Sequence, residues 1–425
     1  MIDIQLHEDQ RPDGDEIRRR AVSAGGLPVV AVMPLWVVGD SERERWLADS
    51  IAQDLAIHLC RVGWVRVIDY LATRSRPVSA SNPLDAAVRL GADFAITGSI
   101  RKVGNETLVK LQVLCIPAGA IVWADRFKLG PEAESISDQD DIVSGVCGRV
   151  ADFIAVLGQT LGPKAIGKPW QQTSILASVS RFYDYLHRFD DESFRAALAA
   201  VEQAVRRDPQ FGWGWGALSF LHVVQYGHVN RAKTHDPEEV VGPMLKRALA
   251  IDPSNPFAEW TIGFWGISSG RFDETNEAAE RVIANPLAAP GEVGAAGTML
   301  AFIGDKNRGL ELTANVLTIN PRVPGFIRWG HVIKQLVRGD YEGAVAHSRL
   351  FTMPNCYVES LLRSTIAVRM GDWEGARQWL DRAMKLRPEL VSKPKFVLGR
   401  VFVINEERDF LLESMRLSGF AATGV

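Results

Sequence analysis

Apolar and polar positions in the first 165 residues fall into blocks that predict strands and helices in turn. Val29 to Val37 is a continuous, β-branched-rich apolar run, the pattern of a strand buried on both faces. Ser41 and Glu44 then form a capping box, and Leu47, Ile51, Leu55 and Leu59 recur every four residues as one apolar helical stripe. Val65 to Tyr70 predicts a second short strand. Asn82-Pro83 opens a helix through Leu90 that Gly91 ends, and Phe94 to Ile100 predicts a third strand. This βαβαβ order argues for a mainly parallel sheet. Gly104-Asn105 then turns the chain, and Val109, Leu111, Val113 and Cys115 alternate with their neighbours as in a strand with one less buried face. Pro117-Ala118-Gly119 turns it again, placing Ile121, Trp123 and Phe127 on one face of the next strand. Ser137-Asp138 caps a helix from about Asp141 to Leu161. The expectation is an α/β domain with a mixed sheet over residues 28–165, after a flexible segment 1–27.

The second half is helical and periodic. Gly270-Arg271-Phe272, Gly304-Asp305-Lys306, Gly339-Asp340-Tyr341 and Gly371-Asp372-Trp373 lie 34, 35 and 32 residues apart, and Pro253, Pro286, Pro321, Pro354 and Pro388 keep the same step. A period of about 34 predicts stacked helical hairpins of the tetratricopeptide type, each burying its apolar face only against its neighbours. Each proline ends one hairpin, because it lacks the N–H that a continuing helix needs. Trp373, Ala376, Leu380 and Ala383 fill the aromatic, small, large and small places of one repeat; Ala197, Val201, Ala204 and Pro209 repeat part of that spacing, and Phe326, Trp329 and Gly330 fit the start of another. The expectation is an all-α tetratricopeptide solenoid over 174–390, followed by capping helices in 391–425.

The interval from Pro209 to Pro253 is 44 residues, so about ten are inserted, most simply between Tyr226 and Pro237. His222, His228 and His235 there match no usual zinc spacing, and a polar loop explains them. Gly212-Trp213-Gly214-Trp215-Gly216 lacks the preceding strand and the G-K-[ST] ending of a phosphate loop. Trp215 and Leu218 instead match core positions of a first helix, and Trp260, Trp265, Trp329 and Trp379 are expected as packing residues. Asp138, Asp140 and Asp141 suit a helix start, where carboxylates answer the macrodipole. If the concave groove binds a partner, counting from Phe326 places His331 and Lys334 on it, with Tyr226 two repeats earlier.

The segments Val30-Ala31-Val32-Met33-Pro34-Leu35 and Leu47-Ala48-Asp49-Ser50-Ile51-Ala52-Gln53-Asp54-Leu55 resemble the opening of TolB-like amino-terminal domains. Ile96-Thr97-Gly98-Ser99-Ile100-Arg101 and Gly119-Ala120-Ile121-Val122-Trp123-Ala124-Asp125-Arg126-Phe127 extend that resemblance over roughly residues 28–160. The family places this domain directly before tetratricopeptide repeats, in bacterial class III adenylate cyclases and CadC-like transcriptional regulators. The resemblance thus implies bacterial signalling. It implies no activity for these residues, since about 28 residues ahead of the first strand hold neither a cyclase nor a winged-helix domain.

Bulk composition adds exclusions. Lys and Arg number 48 against 51 Asp and Glu, a formal net charge of −3 that gives no overall pull toward nucleic acid or an anionic bilayer. Arg18-Arg19-Arg20 ahead of Leu27 to Val38 superficially resembles a secretion signal, but Pro28, Pro34 and the missing cleavage site favour a buried strand. No run of 18 apolar residues suggests a membrane segment. Cys60, Cys115, Cys147 and Cys356 are widely separated, as in a reducing cytoplasm. No Ser/His/Asp or Cys/His set assembles from local spacing, so neither catalysis nor a cofactor or metal is expected. The functional expectation is a non-enzymatic scaffold or regulator that binds a peptide or protein partner, with homo-oligomerisation left open. The alternative is the sensory part of an adenylate cyclase or DNA-binding regulator whose output domain lies outside these residues.

Overall fold

Pro34 has no N–H to donate, and it splits the first apolar run in two. In the computed structural model, β1 (Val29–Val32) pairs in parallel with β4 (Phe94–Val103) at Phe94 to Ile96. Beyond the proline, β2 (Trp36–Val38) pairs with the same strand at Ser99 to Arg101. The structure describes residues 29–39, 41–60, 65–74, 83–116, 119–129, 175–225, 237–285, 288, 290–319, 323–351 and 353–420. The expected segment 1–27, the helix from Asp141 to Leu161 and the insertion from Tyr226 lie outside them. The chain divides into two compact units.

The first unit is a mixed sheet in the order β3-β1-β4-β5-β6, with β3 (Arg66–Ile68), β5 (Glu106–Cys115) and β6 (Ala120–Leu129). β3 is shorter than the sequence pattern suggests. Asp69 accepts a hydrogen bond from the Leu71 amide at 3.0 Å, and Tyr70 opens a short helix α2 (Tyr70–Arg74) instead of ending a strand. Thr73 ties that helix back to the sheet by donating to the Val32 carbonyl at 2.7 Å. On one sheet face lies α1 (Glu42–Cys60), whose Leu47, Ile51, Leu55 and Leu59 are all buried. On the other, Ala86 and Ala87 of α3 (Pro83–Arg89) pack with Ala31, Met33 and Ala95. A bulge between β5 and β6 corrects one expectation. Trp123 pairs with Val113 but Ile121 with Leu114, so Ile121 stands on the face opposite Trp123 and Phe127.

The second unit is helical, built from hairpins in which a first helix is followed by a second. These are α4 (Ile175–Arg188) with α5 (Asp191–Arg207), α6 (Gly212–Val224) with α7 (Pro237–Ile251), and α8 (Pro256–Ser269) with α9 (Phe272–Ala284). There follow α10 (Pro290–Ile303) with α11 (Lys306–Ile319), then a 3-10 turn (Gly325–Arg328) leading α12 (Trp329–Val337) with α13 (Tyr341–Ser348). After α14 (Tyr357–Arg369) and α15 (Trp373–Leu386) come the short α16 (Glu389–Ser392) and α17 (Pro394–Gly399), and finally α18 (Asn405–Leu417).

The recurring Gly-Asp turn has a plain cause. Gly339 and Gly371 sit at φ +77° and +84°, where a side chain is strained, and the next residue caps the second helix. Asp340 and Asp372 accept hydrogen bonds from Gly343 and Gly375 at 2.9 Å. The first hairpin makes the same turn without a glycine. Phe189 takes φ +53°, stacks on Tyr185 at 5.2 Å, and Asp190 forms a capping box with Ser193.

First and second helices differ in character. In α9 only Thr275, Ala278, Ala279 and Val282 are buried, a single stripe at spacings of three, one and three. In α6 every residue except Trp215 and His222 is buried, and α14 is nearly as enclosed. A helix apolar all round belongs inside a core, so the first helices form the interior of this unit and the second helices its amphipathic rind. Ion pairs tie the helices together: Arg281 of α9 makes a two-pronged contact with the nearly buried Glu259 of the inner α8 at 3.0 and 2.9 Å, and Arg308 of α11 makes another with Glu280 of α9, between two outer helices. Among repeat positions, Ala376, Leu380 and Ala383 are buried as expected, but Trp373 at the start of α15 is exposed.

Candidate functional site

Aromatic rings form a continuous chain through the first helices. Phe182 meets Trp213, Phe220 and Phe257 edge-on at 5.3, 6.1 and 5.0 Å. Phe220 continues to Trp260 and Phe264, and both of these meet Phe326 ahead of α12. The core tryptophan of α6 is therefore Trp213, whereas Trp215 is half-buried and donates its indole N–H to the Pro209 carbonyl at 3.1 Å. Trp260 and Trp329 are buried. Trp265 and Trp379 are half-buried, each under a guanidinium, Arg271 at 5.7 Å and Arg363 at 5.3 Å.

Of the three groove positions expected from the sequence, Tyr226 lies outside the described residues. His331 turns its ring toward the second helices: Nε2 lies 2.8 Å from Thr313 Oγ1 on α11, and the ring stacks on His347 of α13 at 5.0 Å with planes 7° apart. Burial, then His347, Lys334 and Arg328, hold this imidazole down to about 4. His347 is lowered as well, by burial and by Arg328, while Asp340 opposes the shift. Lys334 is half-buried one turn further along α12. The structure thus brings His331 together with His347 and Arg328, two residues that spacing alone did not single out. The signal was present: positions 331 and 347 flank the Gly339 turn at matching distances, which sets their rings face to face across the hairpin.

A second cluster lies where the array returns on itself. Asn355 donates to Asp190 at 3.3 Å, joining residues 165 apart in sequence, and Arg382 reaches the Pro354 carbonyl at 2.9 Å beside it. Burial pushes the Tyr185 hydroxyl well up, the neighbouring Cys356, Asp191 and Asp190 raise it further, and burial likewise pushes up the Cys356 thiol. Groups held neutral in this way pack well and are poor nucleophiles. Further on, Lys306 of α11 pairs with the buried Glu407 of α18 at 2.5 Å, and Phe302 lies against Phe402. Among the described residues, no three His, Cys, Asp or Glu side chains form a metal-holding group. Nor is any described helix long and apolar enough to cross a membrane.

No protein-family model matches the chain. A protein of Rhizobium meliloti (strain 1021) named "Putative adenylate cyclase 3" is 21% identical over 251 residues, which is 59% of this chain and 42% of that protein. The chain therefore spans less than half the length of that relative. Among solved structures, PilW, a widely conserved type IV pilus biogenesis factor, aligns over 56% of this chain and 98% of its own, at 16% identity and a TM-score of 0.33. At that score the likeness carries no argument about function.

Proposed function

We propose that the chain is a non-enzymatic regulatory protein whose helical array holds a protein or peptide partner. One observation carries the reading: hairpins recur at a near-constant step, with apolar first helices inside and amphipathic second helices outside, so equivalent polar faces are presented hairpin after hairpin. A partner that spans several hairpins sums many similar contacts, as repeat arrays do. The exposed Lys385 on the second helix α15 belongs to such a surface, and the half-buried Lys334 on the first helix α12 tests the groove side instead. The test is to isolate the native partner by cross-linking, then titrate it against the full chain and against Lys334→Glu and Lys385→Glu. At least one substitution should weaken binding about tenfold with the circular dichroism unchanged. A partner indifferent to both would overturn the reading, and so would nucleotide turnover by the purified chain.

A second reading rests on the 21% likeness to the cyclase-named relative. In it, the TolB-like domain and repeats are the regulatory part of a longer bacterial signalling protein. Sequencing the reading frame on either side of these residues tests it: a continuous cyclase or winged-helix domain supports this reading, and a stop codon directly upstream sinks it.

A further inference from the structure

Half of one face of the β-sheet is covered by α3, and among the described residues no helix packs on the other half, most of whose side chains are exposed. The strand register fixes which side chains occupy the open half. Trp36, Ser99, Lys110 and Arg126 form one row across β2, β4, β5 and β6; Val38, Arg101, Leu108 and Lys128 form the next. Arg101, Lys110, Arg126 and Lys128 are all exposed. Glu106, 3.3 Å from Lys128, is the carboxylate that the register adds to this half, beside Val103. Lys110 stands directly opposite Arg126, an arrangement of like charges that weakens a sheet.

Apolar side chains border these cations. Trp36 is 56% exposed, Val38 52%, and Ile121, brought to this face by the bulge, 58%. Exposed apolar groups around a charged patch mark a surface that meets something else. A single indole with aliphatic neighbours cannot stack a run of bases, which recognition of single-stranded nucleic acid uses. Cations spread over β4, β5 and β6, with tryptophan and valine beside them on β2, instead suit a planar bilayer, where lysine and arginine meet anionic headgroups and tryptophan settles at the interface.

We propose that this open sheet face is a peripheral docking surface for anionic phospholipid bilayers. The test is co-sedimentation of the full chain with vesicles of phosphatidylcholine alone and of phosphatidylcholine containing about one-third phosphatidylglycerol. Retention by the anionic vesicles alone is expected, lost in about 0.5 M NaCl as screening sets in. Lys110→Gln with Arg126→Gln should weaken it about 25-fold, at about fivefold per cation. Trp36→Ser should weaken it without altering the salt dependence. Both variants sit on exposed positions, and unchanged circular dichroism confirms that they fold. The proposal is overturned by no retention, by equal retention on neutral vesicles, or by variants that bind like the parent. Tighter binding to oligo(dT) or polyglutamate than to the vesicles overturns it as well.

Discussion

Gly309 offers the sharpest test of the helical packing. A β-carbon at this position would lie 2.4 Å from the Gly297 carbonyl oxygen, 2.5 Å from the Ala301 amide and 3.0 Å from Ala301 Cα. All three are backbone atoms of α10, so no side chain can swing aside. To reach ordinary contact at 3.4 Å, α11 must retreat by about 1 Å. A gap of that size forfeits a quarter to a half of the dispersion attraction for each atom pair along the crossing. Overpacking costs about 1–3 kcal/mol in general, and an unyielding backbone puts this case near about 3. Alanine returns about 1 kcal/mol of helix propensity. The expected net loss for Gly309→Ala is thus about 2 kcal/mol, or about 4–8 °C in melting temperature for a unit of this size. Gly291→Ala, also in α10, is the control: nothing lies within 4 Å of its new methyl, so it should be neutral or slightly stabilising. Thermal melts of both variants followed at 222 nm give the comparison. Equal melting temperatures would show that α10 and α11 do not meet backbone to backbone.

Three further outcomes follow from the same structure. His331 is held down to about 4, below its usual value near 6.5, so its neutral form stabilises the fold. That contribution is intact above about pH 6.5 and drains as pH falls toward 4, by about 1–2 kcal/mol after discounting for partial exposure; melts of His331→Gln from pH 7.5 to 4.5 should show a shallower slope than the parent, and identical slopes would refute it. Lys306→Met should cost about 3 kcal/mol by leaving Glu407 buried and unpaired, with Glu407→Gln milder. Burial already raises the Glu407 carboxyl, so acidification should narrow the difference between these two variants, and a pH-independent gap would count against the pair. Asp340→Ala and Asp372→Ala should each cost about 1 kcal/mol as lost helix caps, adding in the double variant within about 0.5 kcal/mol.

What the sequence made legible depended on how local the cause was. The alternation of β5, the stripe of α1 and the glycine-marked turns follow from side-chain period and backbone φ, and all appear where the pattern puts them. The first hairpin's turn was hidden because Phe189 takes the left-handed conformation in place of glycine, so a search for Gly-Asp passes over it. Long-range register was equally out of reach. Nothing between Gly119 and Phe127 announces that Ile121 and Trp123 part to opposite faces, and Pro34 breaks a run that periodicity reads as one strand. In α6, helical spacing fitted Trp215 to the core, but the neighbouring helices α4 and α8 enclose Trp213. His331 was legible as a position on α12, but its ring direction is set by Thr313 and His347, which belong to other helices.

The contact between Asp190 and Asn355 bears on how such a molecule can evolve and be cut. In an open row of repeats each unit answers only to its neighbours, so units can be gained or lost at either end with small cost. Here the first turn rests on the segment ahead of α14, and α11 rests on α18. Trimming back through Asn355 would strip support from the earliest hairpin, and removing α18 alone would strip it from α11. Repeat number is then a fixed property of this unit, and its unfolding should be a single cooperative event with no fraying from one end.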